Sequence, residues 1–223
     1  MAAETAPQST APAVLLRNRP GIRHEEWCQW PEVALEDMDS TFSGQQFLQS
    51  LIRKDPSDVD AIVRLPDTQD EDTWQYEQLR QVCLELNNLI VLLEPDCTPE
   101  KCPEMKADEW MYLCAAHATP QTCSAIDYSV HTLDHSIALL NSHKYFPSRV
   151  TVPESSIKHF QNIARRLYRI FAHAYYHHRE LFSEFEIESH LYARFLSFSK
   201  HFKLIPEKLI IIPPDAIITR LDD

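Results

Sequence analysis

Apolar positions recur along this chain in a helical rather than an alternating rhythm. From Asp39, a Ser-Thr pair followed by Phe42, Phe47, Leu48, Leu51 and Ile52 predicts an N-capped amphipathic helix that stops near Pro56. Trp74, Leu79, Val82, Leu86, Leu89, Ile90 and Leu93 predict a second helix, opened by the acidic run Asp70–Asp72 and closed at Pro95. Between Asp96 and Ser124 the rhythm breaks into Cys, Pro and Thr around a short aromatic run, Trp110 to Cys114, that could be a strand, so a metal-tied loop or short hairpin is expected there. A helix over about Ile126 to Asn141 follows. The next segment, Lys144 to Val150, is extended, since Pro147 biases Phe146 away from helix. The longest helix is expected from Pro153, with Glu154 in its favourable acidic first turn, and a last one over roughly Glu188 to Phe202. The fold class is therefore all-α, a helical bundle around a long helix in the C-terminal half.

Sorted at about 100° per residue, that long helix places Ile157, Phe160, Ile163, Leu167, Ile170, Phe171, Ala174 and Tyr175 on one arc. Arg165, Arg166 and Arg169 converge on the opposite side. Three planar guanidinium forks on one patch could grip a phosphate bidentately; the plain alternative is a solvated basic face paired with nearby acids.

Composition sharpens the picture. Of 223 residues only Gly21 and Gly44 are glycines, which leaves little for phosphate loops or the tight turns of an all-β protein. The net charge of −12 argues against a general nucleic-acid binder. The charge is uneven: residues 32–109 hold 19 Asp/Glu against six Lys/Arg, while Ile157 to Arg179 holds five Lys/Arg and no acid. No stretch reaches the ~20 apolar residues of a membrane span, and the N-terminus carries no signal pattern, so a cytosolic chain is expected. Residues 1–13, rich in Ala, Pro, Ser and Thr, are expected to be a disordered extension. Residues 14–210 form one domain, and an apolar tail occupies 211–223.

Six cysteines in a reducing compartment read as thiols or metal ligands rather than disulfides. Cys97 and Cys102 form a C-x4-C knuckle, and His173, His177 and His178 lie on the long helix. Two cysteines and two histidines suit a closed tetrahedral zinc site. On the helix wheel His173 and His177 are about 40° apart but His173 and His178 about 140°, so a regular helix favours His177. Only a distortion or a bend at the helix end would bring His178 to the same ion. Cys114 and His117, a C-x2-H pair with Cys123 nearby, are further candidate ligands.

A longer series of matches resembles the Mob family, and its phocein-like branch in particular. It includes RNRPG at 17–21, Trp30-Pro31, DMDST at 37–41, WQYEQLRQVCLELN at 74–87, CAAH at 114–117, NSHKYFPSRV at 141–150 and RRLYRIFAHAYYHHR at 165–179. The resemblance implies one structural zinc per chain, held by Cys97, Cys102, His173 and His178. It further implies a non-enzymatic adaptor in which Arg165, Arg166 and Arg169 receive a phosphorylated segment and an acidic surface docks kinases. The implied partners are a striatin-type scaffold, protein phosphatase 2A and germinal-centre kinases, in the cytoplasm and peripherally at Golgi or other endomembranes. Two other readings differ in class. One is a zinc-dependent hydrolase with water in place of one ligand, for which Glu180 is the nearest candidate base. The other is a pure scaffold whose arginines make internal salt bridges and bind no phosphate.

Overall fold

The computed structural model describes residues 20–216 except 24, 25 and 28, so the N-terminal extension, Cys28 and the end of the tail lie outside the described residues. The chain divides into a short N-terminal unit ending at Val33 and a main body from Ala34. In the first, Gly21 takes a left-handed φ of 81° and Arg23 pairs with Glu26.

The main body is helical: α1 (Ser43–Lys54), α2 (Val59–Val63), α3 (Glu71–Leu93), α4 (Ala125–Leu140), α5 (Glu154–His177), α6 (Arg179–Ser189) and α7 (Leu191–His201), with a two-stranded hairpin, β1 (Lys106–Ala107) and β2 (Trp110–Met111), between α3 and α4. Local chemistry sets several starts. Asp70 accepts the Thr73 N–H, and Ser124 accepts the Asp127 N–H while donating to its carboxylate, so orphan donors of α3 and α4 are satisfied. The Ser-Thr pair before α1 behaves otherwise. The residue preceding α1 is Phe42, without a side-chain cap, and Ser40 Oγ accepts the Phe42 N–H just upstream of the helix.

Helices α3, α4 and α5 pack on one another to form the centre of the core, with α6 and α7 closing it. Phe160, Leu167, Ile170 and Phe171 of α5 are fully buried; each side chain of this kind contributes roughly 1.5–3 kcal/mol by leaving water. A smaller cluster of Leu48, Ile62 and Trp74 joins α1, α2 and α3, and the Trp74 indole N–H donates to the Val63 carbonyl. The hairpin turns at Asp108, which adopts a left-handed φ of 53° that a short polar side chain tolerates.

The C-terminal third departs from the sequence expectation. The helix expected over 188–202 is present as α7, but an unexpected helix, α6, precedes it. α6 buries only Phe182 and Glu186, too few apolar positions to leave a periodic signature. It ends at His190 in the left-handed region (φ 48°), and α7 begins one residue later. The Glu186 carboxylate, fully buried, accepts the N–H groups of Tyr192 and Ala193 and so caps α7 from the preceding helix. The first part of the tail is fastened to α5: Tyr168 Oη accepts the N–H groups of Ile211 and Ile212, and Tyr176 donates its hydroxyl to the Ile211 carbonyl.

Candidate metal centre and arginine cavity

Cys97 and Cys102 flank the turn after α3, and His173 lies on the last turns of α5. The helix stops at His177; His178 has φ −138° and ψ 52° and links α5 to α6. That break turns the His178 ring back toward His173, so the angle of a regular wheel no longer applies. Cys97, Cys102, His173 and His178 converge, with their donor atoms all within 4.8 Å of one another. His177, which a continuous helix would favour, is exposed and only stacks on the His173 ring at 4.8 Å.

The donor chemistry fits a tetrahedral ion. Cys97 Sγ lies 3.3 Å from His173 Nε2 and Cys102 Sγ 3.5 Å from His178 Nε2. Zinc with its usual bond lengths gives a sulfur–nitrogen edge of roughly 3.6 Å. Both rings are oriented from behind: His173 donates Nδ1–H to the Lys106 carbonyl (2.7 Å) and His178 donates Nδ1–H to Asp96 (2.9 Å), leaving each Nε2 lone pair toward the sulfurs. Asp96 is held by Lys101, which, with the His178 contact, lowers its pKa. Burial pushes His173 down to about 4, so it is the neutral imidazole a metal needs. Burial, and next the adjoining Cys102, raise the Cys97 thiol; a divalent cation is the charge that would offset the cost of ionising it. Glu180 is exposed and is not among the clustered donors.

One turn before His173, the arginines form a second feature. Arg165, Arg166 and Arg169 are half-buried and line a cavity of about 480 Å3, walled by β2 and Tyr112 on one side and by Ile205 to Ile211 on another. Arg169 donates to Tyr128 Oη at 2.7 Å and its guanidinium lies 4.7 Å from the Tyr112 ring centre. Arg165 donates to the Gln161 carbonyl and to Asn162 Oδ1. Among the described residues none of the three pairs with a carboxylate. Sequence reasoning did not single out Lys208, which adds a fourth cation to the lining. Its only signal was its place in the segment leading into the apolar tail.

These features define a helical domain with a cysteine–histidine cluster at the end of its central helix and an arginine-lined cavity beside it. Residues 50–213 match the Mob1/phocein family, and the chain belongs to that family. It is 51% identical to MOB kinase activator-like 4 of Drosophila melanogaster over 201 residues, 90% of each chain. It is 50% identical to the MOB-like protein phocein of Caenorhabditis elegans, covering 88% of this chain and 89% of that one. Maintenance of ploidy protein mob1 of Schizosaccharomyces pombe is 31% identical over 66% of this chain and 74% of its own length. Among the described residues no helix is long and apolar enough to cross a membrane.

Proposed function

We propose that this protein is a non-enzymatic, zinc-stabilised adaptor that brings kinases to a phosphatase scaffold, and that its arginine cavity takes a phosphorylated segment of a partner. The observation that carries the reading is the trio Arg165, Arg166 and Arg169, half-buried around one cavity with no carboxylate bonded to any of them among the described residues. Their internal hydrogen bonds go to neutral groups, so the positive charge gathered at the concavity is left for an anion to balance, which favours a ligand site over a purely structural face. Charge-assisted hydrogen bonds to a phosphate contribute about 1.5–3 kcal/mol each, so two or three decide whether a segment binds. Tyr112 and Tyr128 fix Arg169 before any ligand arrives, which lowers the ordering cost of binding.

Zinc held by Cys97, Cys102, His173 and His178 supplies a cross-link and the positive charge that two thiolates require. Through it and the His173–Lys106 hydrogen bond, the hairpin that walls the arginine cavity is tied to the end of α5. With four protein donors no position is left for a water, which favours an adaptor over a hydrolase. The partner set of a striatin-type scaffold, protein phosphatase 2A and germinal-centre kinases is the expectation from the family resemblance, as is a cytoplasmic location with peripheral Golgi or endomembrane association through partners. The name kinase activator carried by one half-identical relative agrees with the kinase part.

The test is binding of a degenerate phosphothreonine peptide library and its unphosphorylated twin, measured by fluorescence anisotropy. Phosphate-dependent binding, abolished by joint replacement of Arg165, Arg166 and Arg169 with Ala while circular dichroism is unchanged, supports the reading. Equal binding of both libraries, or equal binding by the triple variant, removes the phosphate site and leaves a pure scaffold.

A further inference from the structure

A second set of metal-type donors lies outside the site just described. Cys114 follows β2, His117 is in the loop beyond it, Cys123 stands one residue before the cap of α4, and His131 is on the second turn of that helix. Their donor atoms all lie within 4.8 Å of one another. Cys114 Sγ is 3.7 Å and Cys123 Sγ 3.9 Å from His131 Nδ1, close to the roughly 3.6 Å sulfur–nitrogen edge of a zinc tetrahedron. His117 Nε2 approaches Cys123 Sγ at 3.0 Å, and the His117 and His131 rings meet edge to face at 5.1 Å.

The loop that carries these residues has little else to hold it. Cys114 and Gln121 exchange two backbone hydrogen bonds, closing its base. Between them every residue except His117 is exposed, so burial contributes almost nothing to fixing the loop. Yet four soft or borderline donors from three separate places in the chain point into one volume, and the Cys114 thiol is fully buried. A thiol–imidazole hydrogen bond accounts for one pair of such groups, not for four facing a common centre.

We propose that Cys114, His117, Cys123 and His131 form a second structural zinc site, distinct from the one at the end of α5. Two thiols release their protons on binding, and the resulting two thiolates and two neutral imidazoles fill a closed tetrahedron around Zn2+ with no net charge. The site cross-links the segment after β2 to α4. Tyr112 stands two residues before Cys114 and Tyr128 three before His131, so the two aromatic residues that hold Arg169 are each anchored next to a ligand of this ion. The wall of the arginine cavity is thereby clamped on both flanks, to α5 by one metal and to α4 by the other.

Elemental analysis of the purified full chain under reducing conditions tests this, with Cys123→Ser, His131→Ala, His117→Ala and Cys97→Ser beside it. Two zinc ions per chain are expected, falling to one in Cys123→Ser, His131→Ala and His117→Ala with helical circular dichroism kept. Cobalt substitution should give tetrahedral d–d absorption that halves in the same variants. One zinc per chain that survives Cys123→Ser and His117→Ala overturns the proposal. So does a mass two hydrogens low that maps to a Cys114–Cys123 disulfide in the native protein. A single zinc that survives Cys97→Ser but is lost in Cys123→Ser would uphold this site and defeat the assignment at α5, so the two readings fail separately.

Discussion

Arg169 and Tyr128, 41 residues apart in sequence, are joined by a 2.7 Å hydrogen bond from guanidinium to phenol oxygen, which fixes one arm of the arginine cavity against α4. Tyr128 is itself buried, so the bond is shielded from water. Tyr128→Phe should leave the fold intact and free Arg169 to wander, weakening phosphopeptide binding about 3- to 10-fold, the equivalent of one ordinary hydrogen bond. Arg169→Lys should do more, since Lys lacks the planar fork and stacks poorly on Tyr112. Anisotropy titrations with equal affinities for all three proteins would show that Arg169 does not contact the ligand.

The zinc proposed at the end of α5 would make the fold metal-dependent. Cys97→Ser removes a buried ligand and is expected to cost several kcal/mol of stability, whereas His177→Ala, exposed and outside the donor cluster, should keep both its zinc and its melting temperature. Equal melting temperatures for the two variants would exclude a stabilising metal at that place.

Asp96 stands one step behind the proposed ligands, receiving the His178 Nδ1–H while Lys101 steadies it. Asp96→Ala leaves all four donors but releases the ring, and zinc affinity measured by chelator competition should fall by roughly 10- to 100-fold. An unchanged chelator midpoint would mean that the ring is held well enough by the chain alone.

Glu186 gives the protein a pH dependence unconnected with metal. Burial pushes its carboxyl from an ordinary value of 4.5 up to about 7, against the lowering effect of the N–H groups of Ala193 and Tyr192 and of Arg194. Between those values the folded chain keeps a proton that the unfolded chain has released. Stability from this group is therefore full below about pH 4.5 and declines as pH rises toward 7. Glu186→Gln is neutral throughout but sets its amide N–H against one of the two N–H groups it must cap, a pH-independent cost of about 1–3 kcal/mol. Its stability relative to the parent should therefore start lower and improve by up to the order of 3 kcal/mol as pH rises across that window. Urea unfolding of both proteins at about pH 5 and about pH 8, with zinc in excess, reads the difference; a constant difference would place the carboxyl's titration elsewhere.

The long central helix was legible because its apolar positions repeat over about five turns, and seven of the eight expected core positions, Phe160 to Tyr175, are buried, with Ile157 half-buried near the start. α2 and α6 were not. Val59–Val63 is too short for a period to show, and α6 buries one apolar side chain and one carboxylate. The aromatic run at Trp110 forms a strand only over two residues, because its partner Lys106–Ala107 is equally short.

By itself the sequence determined the helical class, the acidic excess with its one basic stripe, the cysteine and histidine donors and the family they resemble. These follow from periodicity, composition and residue identity, which are local properties. Tertiary structure decided which donors meet. A wheel assumes that the helix continues, but the chain leaves the helix at His178, and that single change of backbone direction brings His178 to the cysteines in place of His177. It also decided the setting of the arginines, since the side of α5 facing away from its main apolar arc becomes a cavity only when β2 and the segment 205–211 fold against it. The grouping of Cys114, His117 and Cys123 with His131 arises in the same way, from a loop and a helix turn that sequence spacing alone does not bring face to face.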